Sequence, residues 1–292
     1  MQKNHYNFPK IIAEIGCNHK GDMNIAKEML KIASECSVDV VKFQKRNNKE
    51  LLTEEQFNMP HPNIMHAYGT TYGLHREFLE FDVNQHKELM EYAQSLGLTY
   101  STSVWDVVSA QEIISLNPKF IKVPSACNNN FQLLKVLRDK YYGDIHISLG
   151  MTKILEEDEI ISFFEKKNQS NRLVIYSCTS GYPVAFNDIC VLEVLRIKEK
   201  FKDRVKAIGF SGHHLGIAVD ISAYTLGAEW IERHFTLDRT WKGTDHAVSL
   251  EPTGLRKLVR DLNATYKSLT YKSNEILPVE EFQRNKLKYR KK

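Results

Sequence analysis

Residues 209 to 239 read GFSGHHLGIAVDISAYTLGAEWIERHFTLDR. Two short apolar runs, AIGF (207–210) and AEWI (228–231), each lead into a histidine, His213 and His234. The stretch between them carries apolar residues at helical spacing and ends in Gly227, a usual helix stop. Strand, helix, strand, with a polar residue at the end of each strand, is the repeat of a parallel sheet with crossover helices.

The same texture runs through the chain. Eight runs read as buried strands: 11–16, 38–44, 99–104, 120–125, 145–150, 172–179, 207–213 and 230–235. Amphipathic segments separate them. In 23–36, Ile25, Met29, Leu30 and Ile32 fall near one face, and 84–97 starts at a candidate cap, Asn84. Eight strand–helix units in 292 residues predict a (β/α)8 TIM barrel over residues 1–275. An open doubly wound sheet would want a glycine-rich phosphate turn after its first strand, and EIGCNHKG (14–21) lacks the GxGxxG spacing. Residues 46–83 exceed the repeat and are expected to form a lid or substrate wall on the catalytic face. Residues 276–292 read as a basic tail.

Charge and cysteines narrow the class. The last nine residues hold six Lys or Arg, and subtracting those six from the net charge of +4 leaves −2. The body is near neutral, without a basic stripe interleaved with aromatics, so no nucleic-acid partner is expected. No apolar run approaches the ~20 residues of a membrane span, so no membrane partner is expected either. Five cysteines without a CxxC pair suggest a reducing, cytoplasmic setting.

The C-terminal ends of barrel strands hold active sites, and here those ends are polar. Glu14, Lys42, Gln44, Thr102, Lys122, Ser125, Ser148, Tyr182, Ser211, His213 and His234 fall at or just beyond them, and Asp245 follows the last. Lys42 and Lys122 stand inside apolar strands, where a charge is costly unless paired or used. Two converging lysines would repel, and a bound phosphate or carboxylate would relieve them. The competing reading pairs each with a buried carboxylate. His213 and His234, from adjacent strands, could share a divalent metal, while alternation points His214 away.

Seven stretches then resemble the sialic acid synthase family: IIAEIGCNHKGDMNIAKEM, VDVVKFQ, KVPSACNNN, SCTSGYP, GFSGHHLG, IERHFTLDR and KGTDHAVSLEP, spread in order over residues 10–255. The resemblance implies condensation of phosphoenolpyruvate with an N-acetylmannosamine-like aldose. It implies that Lys42, Thr102, Lys122, Ser125, Ser148 and Ser211 hold phosphoenolpyruvate, and that Gln44, Tyr182 and Asp245 contact the sugar. Glu14 would be the acid–base residue, and His213 and His234 would bind Mn²⁺ or Mg²⁺. The chain departs from the family pattern at Cys127, Ser180 and Gly212, where an acid, Asn and Asp are common. The family's small C-terminal domain has no counterpart before residue 292, so the expectation is that a homodimer or a partner chain closes the site, that the substrate needs no such contact, or that activity is lost. Alternatives are a synthase for a different or phosphorylated aldose, as in the octulosonate phosphate synthases, a non-catalytic sugar-acid-binding subunit, and a metal-dependent hydrolase.

Overall fold

A computed structural model describes residues 6–289. Eight strands close a wholly parallel barrel in chain order: β1 (Lys10–Gly16), β2 (Val40–Lys45), β3 (Thr99–Val104), β4 (Phe120–Val123), β5 (Asp144–Ser148), β6 (Leu173–Cys178), β7 (Ala207–Gly212) and β8 (Trp230–His234). β8 returns to β1 with Glu14 opposite His234. Helices follow each strand, as the alternating pattern predicts. Among the described residues no helix is long and apolar enough to cross a membrane.

Strand alternation sorts the apolar residues into two cores. One face of each strand packs under the helices, as with Ile11, Ala13, Val41, Phe43, Ile121 and Ile147. The other face fills the barrel with a smaller cluster of Ile12, Val40, Phe120, Val174, Tyr176 and Ala207.

The helices differ from expectation in detail. In Met23–Glu35, Met29 and Leu30 are buried, with Ala26 and Ala33 beside them, while Ile25 and Ile32 are half-buried. Helix Val83–Ser95 is capped by Asp82, whose carboxylate accepts from Gln85 N in a capping box, not by Asn84. Within the expected tail, residues Pro278–Leu287 form a helix with Pro at its first turn. Its basic residues occupy the last turn, where they suit the helix dipole. Residues 290–292 lie outside the described residues.

The segment 46–83 carries helices Asn48–Leu51, Glu54–Asn58 and Tyr72–Leu79. It is tied to the loop after β8: Tyr68 Oη donates to the Lys242 carbonyl, and Gly243 N donates to His66 Nδ1 at 3.2 Å. Those ties hold the insertion at the C-terminal mouth of the barrel.

Candidate active site

The carboxyl ends of the strands surround a cavity of about 250 Å³. Glu14, Lys42, Gln44, Lys122, Ser125, Ser148, Tyr182, Ser211, His213 and His234, drawn from seven different strands or the loops after them, all line it. Gly16 lets β1 end there. Its φ is +56°, and a Cβ would lie 3.0 Å from Gln44 Nε2, so a side chain would push Gln44 off Glu14.

The two lysines are not opposed to each other alone. Lys42 pairs with Glu14 and donates to Ser103 Oγ at 2.7 Å. Lys122 pairs with Glu232 at 2.7 Å, and Glu232 lies 3.8 Å from Lys42. Ser211 Oγ donates to the same Glu232 oxygen at 3.1 Å, and Gln44 donates to Glu14 Oε1 at 2.7 Å. The mutual repulsion expected from sequence is therefore offset within the protein: Glu232 sits between both cations. All four charged side chains are buried.

Burial and partners split the two acids. Burial pushes the Glu14 carboxyl up from the usual carboxylate range, with Lys42 opposing it and Glu232 adding to it. For Glu232 burial also acts upward, but Lys122 and then Lys42 outweigh it and hold it low. Burial pushes Lys122 down, against Glu232. The two carboxyls are thus shifted in opposite directions, Glu14 upward by burial and Glu232 downward by the two lysines.

Thr102 does not reach the cavity. Its hydroxyl donates to Tyr100 Oη at 2.8 Å, on the helix-facing side of β3. Period two puts Ser101 and Ser103 inward instead, and Ser103 is the β3 hydroxyl at the cavity. The strand was located correctly from sequence; its facing was read one residue out of register.

His213 and His234 stand with ring centroids 5.4 Å apart. His213 Nδ1 is 2.9 Å from the Thr179 carbonyl, an arrangement that fixes the ring. His234 Nδ1 is buried without a hydrogen-bond partner, 3.9 Å from Asp245. Burial pushes the His234 imidazole down, against Asp245, so it stays neutral. A neutral imidazole with an orphaned nitrogen, as at His234, fits metal ligation, although no group of three or more His, Cys, Asp or Glu converges for it among the described residues. His214 turns outward to Arg233 Nη1 (3.1 Å), as alternation requires.

Two of the three departures have local accounts. A Cβ at Gly212 would lie 2.7 Å from the His214 ring, so an acid there would need His214 to move. Cys127 belongs to the core under the helices, where burial pushes its thiol up to about 11. Ser180 lines the cavity.

Glu232, Ser103, Trp105 and Cys178 also line the cavity and were not singled out from sequence. The signal for Glu232 was present: an acid inside the apolar run WIERH breaks the same rule that drew attention to the lysines. The insertion contributes further: Arg46, Asn63, His66 and Arg76 wall an outer chamber that shares Gln44, Tyr182 and His234 with the inner one and includes Asp245.

A family model described as the NeuB family matches residues 29–274. The chain belongs to the NeuB family. It is 37% identical over 270 residues to the N-acetylneuraminate-9-phosphate synthase of Homo sapiens, covering 92% of this chain and 74% of that one. It is 32% identical over 260 residues to the N,N'-diacetyllegionaminic acid synthase of Campylobacter jejuni subsp. jejuni serotype O:2, covering 89% and 77%. The crystal structure of the N-acetylneuraminic acid (sialic acid) synthetase of Leptospira borgpetersenii serovar Hardjo-bovis in complex with citrate superposes with a TM-score of 0.80 at 28% identity, covering 98% and 94%. This NeuB chain is an enzyme of the sialic acid synthase type, and the expected barrel is its fold.

Proposed function

We propose that this chain condenses phosphoenolpyruvate with the open-chain aldehyde of an N-acetylmannosamine-like sugar, giving a nonulosonic acid and inorganic phosphate. The observation that carries the reading is the cluster of Lys42, Lys122, Glu14 and Glu232 at the cavity floor. Such a cluster can receive a highly charged anion and manage a proton beside it.

Lys42 and Lys122 bind the phosphate and carboxylate of phosphoenolpyruvate, and Ser103, Ser125, Ser148 and Ser211 donate further hydrogen bonds. C3 of phosphoenolpyruvate attacks the aldehyde carbon, forming the new C–C bond and leaving an oxocarbenium-like C2. Water adds at C2 and loses a proton. Loss of phosphate by C–O cleavage then gives the ketone, and one water is consumed overall. Glu14 is the group that moves the proton, its carboxyl pushed upward by burial beside Lys42. Lys122 stays beside the leaving phosphate and stabilises it. Gln44, Tyr182 and Asp245 orient the sugar. His213 and His234 would hold Mn²⁺ or Mg²⁺, which when bound polarises the sugar carbonyl.

A cytoplasmic site of action suits the five free thiols. Tyr182 and Met151 line the cavity yet are 52% and 70% exposed, and we assign that mouth to contact with a second copy or a partner chain.

The test is phosphate release from phosphoenolpyruvate with Mn²⁺ and N-acetylmannosamine or its phosphate ester, with the product weighed by mass spectrometry. Release together with a product three carbons longer is expected. Phosphoenolpyruvate left intact by every aldose tried would overturn the reading.

A further inference from the structure

One ring of the interior apolar cluster reaches the charged layer above it. Tyr176, on β6, is fully buried in the cluster with Phe120 and Val174. Its partner in register on β7 is Gly209, and a Cβ there would lie 2.4 Å from Tyr176 Cε1. The ring therefore packs on bare backbone, in space that any larger residue would fill. At its far end, Tyr176 Oη stands 2.8 Å from His146 Nδ1. Packed at one side and tethered at the other, the ring presents a face to Lys122, whose Nζ is 4.0 Å from the ring centroid.

The Lys122 ammonium thus has two supports of different kinds. Glu232, at 2.7 Å, carries a charge that also repels any anion arriving at Lys122. The ring of Tyr176 attracts the ammonium through its quadrupole and carries no net charge. Burial keeps the phenol un-ionised, with Glu232 acting the same way, so no second anion forms there. Lys42, the other cation of the layer, is held by Glu14 and Ser103 instead. Lys122 is the lysine that rests on an aromatic face.

We propose that Tyr176 is a positioning residue for Lys122, its ring holding the ammonium in place for the phosphoenolpyruvate anion without competing with that anion. This inference rests on the proposed condensation, in which Lys122 binds phosphoenolpyruvate. The ring face is the part that matters. The hydroxyl meets His146, not Lys122, and packing on Gly209 keeps a ring in place without it.

The experiment measures phosphoenolpyruvate affinity of the full chain by calorimetry. The proteins are the wild type, Tyr176→Met, Tyr176→Phe, and Tyr176→Phe with one, two or three fluorines on the ring. Met keeps most of the volume without a ring face and should weaken binding about tenfold, the size of a desolvated cation–π contact. Phe should stay within about twofold of the wild type. Each fluorine draws electron density from the ring face with little change of shape, so affinity should step down along the series toward the Met value. In turnover the loss should fall on KM for phosphoenolpyruvate and leave KM for the aldose unchanged. Affinity indifferent to fluorination overturns the inference, and so does a Phe variant as weak as Met. If Tyr176→Met does not fold, the fluorinated series decides alone. If the wild type binds no phosphoenolpyruvate, the condensation fails, and NMR of the Lys122 side chain, assigned with Lys122→Met, decides Tyr176 separately. Lys122 ε-methylene signals shifted upfield in wild type and Tyr176→Phe but not in Tyr176→Met uphold the inference. The same signals in wild type and Tyr176→Met overturn it.

Discussion

Two layers inside the same barrel make an instructive contrast. Ile12, Val40, Phe120 and Trp230 belong to the lower, apolar layer. Two residues further along the same four strands stand Glu14, Lys42, Lys122 and Glu232. The layers are about 6.6 Å apart along the strands, and almost equally shut off from water. In the lower layer even the polar member is uncharged. His146 stacks on Phe120 at 3.9 Å, and burial pushes its imidazole well below the ordinary range. In the upper layer two acids and two lysines stay buried because they interleave. Buried ion pairs seldom repay their desolvation, so the upper layer is read as a functional expense that the lower one offsets. Stability and chemistry are separated by one period of the strand.

Breaking each layer in turn should show that separation at its largest. Phe120→Ala removes an interior ring and should cost about 3–5 kcal/mol of stability in denaturant unfolding, with kcat/KM preserved at temperatures where the variant stays folded. Lys122→Met should do the reverse: a loss of about 100-fold in phosphoenolpyruvate affinity by calorimetry, with a denaturation midpoint within reach of the wild type. If the two variants damaged stability and binding in the same proportion, the layers would not be distinct.

A finer test lies within one strand. Ser103→Ala should lower kcat/KM for phosphoenolpyruvate by about tenfold, the loss of one hydrogen bond to a charged group. Thr102→Val, its neighbour on the opposite face, should leave kcat/KM nearly untouched. The reverse ranking would mean that β3 faces the other way.

The smallest expected effect is on pH. Burial holds His86 neutral, down from the usual 6.5 to about 3, and does the same to His19; His146 is lowered too. A depressed imidazole binds its proton more readily unfolded, so each such histidine destabilises the fold as pH drops below 6.5, until its folded value is reached. The slope is ~1.4 kcal/mol per pH unit for each. Unfolding midpoints between pH 7 and pH 4.5 should fall, and His146→Phe should make that fall shallower; an unchanged slope would remove His146 from the account.

The pattern of apolar runs and helical segments was enough for the barrel, because a strand buried on both faces and a helix buried on one leave different periods in the sequence. It was also enough to bring Glu14, Lys42, Lys122 and the histidine pair to the cavity lining, because charge and imidazole at strand ends stand out against apolar neighbours. The tertiary structure decided the rest. Facing at β3 depended on which of Thr102 and Ser103 met the outer core through Tyr100, and no single strand records that in its composition. The pairing of Glu232 with both lysines required β2, β4 and β8 to be brought to one axis. Arg46 and Arg76 lie in the same inserted segment, yet one is neutralised and the other is not. That difference comes from contacts across the fold, which local sequence does not encode.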